Sequence, residues 1–484
     1  MKSGLLSNTC TQQNHQGPNS MSPIFYQKYW DFVGSSVINC VMNTLNSRRM
    51  PLGLNDTYIC LIPKVKCPKK ISEFRPISLC NIIYKVISKV LANRLKKILL
   101  EVISEEHSAF VPRRQITDNV FIAFETMHRI NQKRDGKEGL MAIKLDMSKV
   151  YDRVKWAYLE EITRKLGFQE RWISLTMMCV KTVSFSVLIN GEPKGRIIPT
   201  IGLWQGDPLS PYLFLLCAEG LSAMLQREAY AGRIEGISVC RGEPYISHLL
   251  FADDCMIFCK ATMEEGNRVM GVLNNYEAAS GQNLNKEKTS LFFFKNISRE
   301  TKEKVKGLFG AQIIQQHETY LGLPPLVVRG RKKVSSRVKD QVGRKIIGWK
   351  GKLISNAGRE ILIKAVAQTT PTYMMSCFLL PESLCNDLNS LARNFWWGQK
   401  ENKRKVAWVS WEKLCTRKSE GGMGFKDLRA FNLALLAKQG WRILRKPNSL
   451  LHSVFKAKYS AMVSFMEAQL GRNPSYVWRS IVTA

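Results

Sequence analysis

Several features are missing from this chain, and each absence closes a route. Its thirteen Cys include no C-x-x-C pair, and its six His are scattered without zinc-type spacing. A disulfide framework and a structural zinc site are both excluded on that pattern. Cys179, Cys217, Cys255, Cys259 and Cys377 fall within apolar stretches, as reduced core thiols of an intracellular protein do. No signal peptide opens the chain, and no run of about 20 apolar residues suggests a membrane span. Acidic residues are scarce, with 39 Asp and Glu against 72 Lys and Arg, a formal net charge of +33. That surplus exceeds what solubility requires and points to a polyanionic partner bound in a salt-dependent way. The basic tracts leave room for a nuclear signal without placing one.

What is present is globular: 45% apolar and 23% charged residues. At 484 residues the chain is too long for one ordinary core, so two or three domains are expected. The scarce acids are concentrated where they matter. In Leu249-Leu250-Phe251-Ala252-Asp253-Asp254-Cys255-Met256-Ile257-Phe258, two adjacent acids separate two apolar runs too short for typical helices. The pattern predicts strand, tight turn, strand, with the acids at the tip. On those residues alone a plain polar turn is an equal reading, since Asp favours turns. A close carboxylate pair is costly unless a cation neutralises it, and hard divalent ions such as Mg²⁺ take oxygen ligands. A second acidic segment lies about a hundred residues earlier. Leu140–Leu145 predicts an apolar strand ending in Asp146, followed by a turn through Tyr151 and a helix near Trp156.

The remaining segments read as follows. Residues 1 to about 22 look unstructured, and 23–50 are helical. Thr57–Lys64 is a strand stopped by Pro63. After Glu73–Leu79 comes a helix through Leu99, with a 3.6-residue apolar stripe and cations on its other face. Ser108–Gln115 is a basic loop, with Asp118 available to cap the helix that follows. Val183–Ile189 alternates as a strand, and Asn190-Gly191 turns it into a hairpin. Gly202–Pro211 is a Gly- and Pro-set loop launching an apolar helix, an arrangement suited to phosphate or sugar contact. A helix spans about Met263–Ala279, and an apolar strand Ser290–Phe294 follows a turn carrying Lys286 and Lys288. Tyr320–Pro324 is a short strand and turn. Residues 329–352 are strongly basic, and Ala357–Ser376 is helical with Ile361, Leu362, Ala365 and Val366 on one face. The tail from Arg393 reads as a separate small helical region.

Two strand-borne acids, Gly-set loops and a basic chain together suggest two-metal phosphoryl transfer on nucleic acid. The segments Phe74–Leu79, Ala109–Asn119, Lys144–Val154, Gly202–Pro211, Phe251–Asp254 and Tyr320–Pro324 also occur here in a particular order. That order resembles the reverse transcriptase of plant LINE-type (non-LTR) retrotransposons, from about Tyr58 to the C-terminus. The resemblance implies an α+β right-hand polymerase with fingers, palm and thumb and a helical C-terminal extension. It divides the chain into a lead-in (1–56), fingers and palm (57–325), a thumb-like region (326–392), and the start of a zinc-binding-type region (393–484). It implies RNA-directed DNA polymerization with Mg²⁺, or Mn²⁺, as cofactor, and an RNA template, a DNA primer and dNTPs as partners. It implies no membrane partner and, with the basic tracts, a nuclear location; the oligomeric state stays open.

By motif match, Asp146, Asp253 and Asp254 would be the metal-binding and catalytic acids. Lys288, with Lys286 as competitor, would assist the leaving pyrophosphate. Tyr151, Gln205, Gly206 and Arg75 would surround the nucleotide, and Tyr320, Leu321 and Gly322 would grip the primer. Two departures stand out. Val150 replaces a small Ala, and Trp204 replaces a basic Arg. They keep open an alternative, a catalytically decayed or domesticated copy that binds RNA or DNA without synthesis.

Overall fold

A computed structural model of the chain describes residues 17–18, 21–132, 139–148, 150–240, 245–293, 297–314, 319–323, 331–350, 354–398 and 406–484. The lead-in through residue 16, Lys149, Phe294 and the segment from Pro324 to Gly330 fall outside the described residues.

Two sheets carry the architecture. The first has the order β2-β1-β5-β6, formed by β1 (Asp56–Pro63), β2 (Phe74–Cys80), β5 (Ser184–Ile189) and β6 (Glu192–Ile197). Asn190 and Gly191 take positive φ between β5 and β6, as their sequence predicts. The second sheet has the order β13-β12-β3-β10-β9. Its members are β3 (Leu140–Leu145), β9 (His248–Phe251), β10 (Asp254–Lys260), β12 (Ser290–Phe293) and β13 (Gln312–Ile313). Two small ladders pair β4 (Met147–Ser148) with β11 (Asn283–Leu284), and β7 (Ile237–Ser238) with β8 (Tyr245–Ile246).

The second sheet is buried on both faces, which explains why its strands read as nearly unbroken apolar runs. Side chains alternate along a strand. Met141, Ile143, Leu145, Leu250, Cys255, Ile257 and Cys259 enter the main core. Ala142, Leu249, Met256 and Phe258 point the opposite way, into a second core. On the main-core side lie the helices Ile82–Leu95, Ser210–Tyr230 and Met263–Ser280. On the other side lies the helix Ile116–Gln132, which contributes Val120, Phe121 and Ile130. A third core forms between residues 338 and 428, with Val342, Leu388, Phe395 and Phe425 among its members. The five thiols singled out from the sequence are all buried and unpaired. Among the described residues no helix is long and apolar enough to cross a membrane.

The structure corrects four expectations. The first helix on the main core stops at Leu95, and a separate short helix follows at Leu99–Val102. Asp118 is not an N-cap but sits inside the first turn, reaching back to accept from the Gln115 amide at 2.9 Å. Residues 357–376 are not one helix: Asn356–Leu362 passes into a π-turn at Ile363–Ala367. That wider turn rotates the pattern, so Ile361 is 63% exposed while Ile363 is fully buried. The tail is not separate either. Ile443, Leu451, Phe455, Val477 and Trp478 pack with Phe121 in the second core.

Candidate active site

The two acidic segments meet because β3 and β10 are antiparallel neighbours. Cys255 pairs with Leu145, so Asp254 and Asp146 stand opposite one another one step further on, across strands about 4.8 Å apart. Asp253 occupies the tight turn between β9 and β10, where Asp254 pairs with Phe251. The turn is made possible by Ala252, whose φ is +52°. Asp253 is exposed, while Asp146 and Asp254 are half-buried. Burial raises the Asp254 carboxyl above its ordinary range, and the charges of Asp253 and Asp146 add to this while Lys144 opposes it. Negative charge is therefore crowded at the end of the sheet, with a boundary to solvent.

Of the two competing lysines, Lys288 has its Nζ 3.7 Å from Asp146 Oδ2. Lys286 instead lays its stem against Gly310. The backbone amide of Asn285 donates to the Asp146 carbonyl at 2.8 Å, which fixes this turn beside the acids. Tyr151 stacks on Phe214, with ring centroids 4.8 Å apart and planes at 23°. Burial, then the nearby Asp253 charge, pushes its hydroxyl up to about 12, so it stays a neutral donor.

The loop at 202–206 is stitched to the turn that follows β4 and to the first sheet. Leu203 N donates to Tyr151 O and Gly202 N to Val154 O, each at 2.7 Å, and Ser78 N at the end of β2 donates to Gln205 O at 2.8 Å. Gly206 has φ +119°, and a Cβ there would lie 2.5 Å from the Ser78 carbonyl. Glycine is required at that crossing. Gln205 and Gly206 are exposed. The start of the following helix is not open for phosphate, as its sequence suggests. Asp207 is buried there and accepts from Ser210 N at 2.8 Å, Ser210 Oγ at 2.9 Å and Ser88 Oγ. Sequence reasoning assigned no role to Asp207 because Ser88 lies in another helix, 119 residues away.

Arg75 is exposed on β2, opposite Ile62, and so belongs to the other sheet from the acids. Tyr320 and Leu323 close a tight turn through Leu321 at φ +49° and Gly322 at φ +78°. The Tyr320 and Leu321 side chains are buried, Gly322 is exposed, and Tyr373 Oη donates to Leu321 O at 2.9 Å. Lys144 of β3 donates to Thr319 O at 3.0 Å, which fastens this turn to the acid-bearing strand. Val150 is buried in the main core. Trp204 is buried edge-on against Phe185, 5.6 Å between centroids, so its indole is part of the core.

Hard oxygen donors with crowded negative charge suit a divalent cation. Among the described residues no three His, Cys, Asp or Glu side chains are already gathered tightly enough to hold one. That is compatible with Mg²⁺, which is usually bound through one or two carboxylates together with waters and substrate phosphates rather than by a closed protein cage.

The site thus joins strand-end acids open to solvent, a lysine 3.7 Å from one of them and a half-buried tyrosine in one corner of the second sheet. Residues 62–324, more than half of the chain, match the family model described as reverse transcriptase (RNA-dependent DNA polymerase), and the chain belongs to that family. An uncharacterized mitochondrial protein of Arabidopsis thaliana is 50% identical over 113 residues, 23% of this chain and 73% of that protein. The transposon TX1 uncharacterized 149 kDa protein of Xenopus laevis is 25% identical over 86% of this chain. The Pol polyprotein from the type-2 retrotransposable element R2DM of Drosophila melanogaster is 25% identical over 51% of it. The chain spans 31% and 22% of the length of the last two. These relatives agree with the LINE-type resemblance of the motifs.

Proposed function

We propose that this chain carries out RNA-directed DNA synthesis, in which a primer 3′-hydroxyl attacks the α-phosphate of a dNTP paired to an RNA template and pyrophosphate leaves. The observation that carries the reading is the β3–β10 register, which brings Asp146 beside Asp254 with Asp253 at the adjoining tip. Asp146, Asp253 and Asp254 would hold Mg²⁺, or Mn²⁺. When bound, such ions acidify the attacking hydroxyl and neutralise charge on the phosphates.

The chain's own groups do the rest. Lys288, 3.7 Å from Asp146, is placed to donate toward the departing pyrophosphate. Tyr151, braced by Phe214, presents a rigid ring to the sugar. Gln205 and Gly206 offer an exposed edge to the nucleotide, with Arg75 contributing charge from the neighbouring sheet. The turn at Tyr320–Gly322 would meet the primer through backbone at Gly322, since its neighbours' side chains are buried. In this reading 57–325 are fingers and palm, 326–392 the thumb, and 393–484 a C-terminal extension. A nuclear site of action belongs to the same proposal and rests on the basic tracts.

Primer extension on poly(rA)/oligo(dT) with Mg²⁺, run beside Asp253→Ala, tests it. Extension that disappears in the variant supports the assignment. Equal extension by both proteins rejects the acids' role. Binding of the template without extension would favour a copy that binds but does not synthesise, with Val150→Ala as the first reversion to try.

A further inference from the structure

A cleft of about 620 Å³ lies outside the acidic site, where the loop before the helix Ile116–Gln132 meets the end of the helix Leu428–Arg445. Its charged lining is Arg113, Arg114, Arg442, Arg445 and Lys446 against Glu105 and Asp118. These cations fall into two groups. Arg114 is consumed by the carbonyls of Ile103, Ser104 and His107. Arg442 Nη2 donates to both carboxylate oxygens of Asp118, at 2.8 and 3.0 Å, with both side chains largely buried. Those two hold the walls together. Arg113 and Arg445 are exposed and have no carboxylate partner among the described residues. Arg113 is also held at φ +65°, a conformation that costs a non-glycine residue energy, with Lys446 Nζ donating to its carbonyl.

One wall continues onto an exposed helix face. Ala434, Lys438, Trp441 and Arg445 follow one another at three- and four-residue spacing and are all exposed. Trp441 is 60% exposed, and the Arg445 guanidinium sits 5.7 Å from its ring centroid. Small residues leave the ring standing clear, with cations on both sides along the helix. Stacking surface beside unpaired cations is the combination that binds single-stranded nucleic acid without sequence preference. The position fits such a strand. Ser108 N donates to Leu250 O, and Leu250 N to Glu106 O. The loop thus runs beside edge strand β9, two strand spacings, about 10 Å, from β10 and its acids.

We propose that this cleft and the Lys438–Arg445 face form a second nucleic-acid site, which takes a single-stranded segment by stacking a base on Trp441 and pairing its phosphates with Arg113 and Arg445. The site deepens the polymerase reading, because it would hold unpaired template beside the synthetic centre. It does not depend on synthesis.

The test is fluorescence anisotropy of a 5′-labelled 15-nucleotide oligo(U), titrated with the full chain at several salt concentrations. Trp441→Ala should weaken binding roughly tenfold, and Trp441→Phe should restore most of it. Arg113→Gln with Arg445→Gln should weaken binding and reduce the slope of log K against log salt by about 1.4, two phosphate contacts on a single strand. Affinity and slope unchanged in all these variants would overturn the site. Photocrosslinking of a 5-iodouridine oligonucleotide to the unaltered protein reads the same point without substitution. Adducts in the 438–446 peptide support the proposal, and adducts confined to other peptides reject it. The two readings fail separately. Oligo(U) binding that needs Trp441 in a protein that never extends a primer would sink the polymerase reading alone. Extension with oligo(U) binding indifferent to Trp441 would sink the second site alone.

Discussion

At the scale of single residues, the chain stores its acidic and imidazole groups in opposite states of tension. Burial holds the Glu219 carboxyl up at about 7, although Ser104 donates to it through both its amide and its hydroxyl at 3.1 Å. Burial pulls His107 down to about 3 and His248 to about 4. The signs differ. Between the ordinary carboxylate value and about 7 the folded Glu219 keeps its proton while the unfolded one has lost it. The stability it contributes is thus full at low pH and lost as pH rises through 7. The histidines work in reverse, costing nothing above about 6.5 and eroding stability as pH falls below it. Glu219→Gln should remove the loss of stability that the carboxyl brings between about pH 4.5 and 7. Between about pH 4.5 and 7 the wild-type urea midpoint should decline relative to the variant's, by an amount on the order of 3 kcal/mol at full ionisation, with no further divergence above pH 7. Parallel profiles for the two proteins would show that Glu219 does not bear this cost. None of this was visible in the sequence, where Glu219 is one polar residue in an apolar helix. Asp146, Asp253 and Asp254 were visible, because an acid ending a buried apolar run is conspicuous without any partner being known.

Elements were legible where one local rule governs them. Apolar alternation and Asn190-Gly191 were enough for the β5–β6 hairpin, and Leu249–Phe258 for β9 and β10. Legibility failed where a neighbour reset the pattern. The helix expected across 357–376 has a plausible apolar stripe, but the π-turn at Ile363–Ala367 inserts a residue into the register. The buried set becomes Ile363, Ala367 and Gln368, with Gln368 exchanging hydrogen bonds with Lys426 at 3.0 and 3.1 Å. That pairing across 58 residues cannot be read from a stripe. It also makes a sharp prediction. Ile361→Lys, on the face that the simple pattern would bury, should change unfolding free energy by no more than about 0.5 kcal/mol. Ile363→Ala should cost roughly 2–4 kcal/mol through lost burial and the cavity left behind. Urea unfolding of both proteins decides the register, and the reverse order of costs would restore the uninterrupted helix.

On the scale of the whole molecule, the sequence suggested a tail hanging beyond a finished polymerase, and the structure binds it in. Glu125 in the helix Ile116–Gln132 is fully buried, and it accepts from Lys458 Nζ at 2.7 Å, Tyr459 Oη at 2.8 Å and Ser475 Oγ. Tyr459 and Trp478 stack 4.4 Å apart beside it. A buried carboxylate so dependent on one lysine is costly to leave unpaired. With the Arg442–Asp118 pair, it ties the tail to the helix that covers the second face of the acid-bearing sheet. The sequence hid this because a charged residue in an amphipathic helix ordinarily faces water, and only the fold reveals that Glu125 faces Lys458. A chain ending at residue 427 would therefore lose more than an appendage. It would uncover Val120, Phe121 and Ile130, and leave Glu125 and Asp118 without their cations. Such a chain should unfold at least about 4 °C below the full chain and aggregate on heating, since several kcal/mol of burial and pairing are removed at once. Differential scanning calorimetry with light scattering measures both. A truncated chain that melted as the full chain does, and stayed monomeric, would show that the acid-bearing sheet is self-sufficient and that the tail merely rests on it.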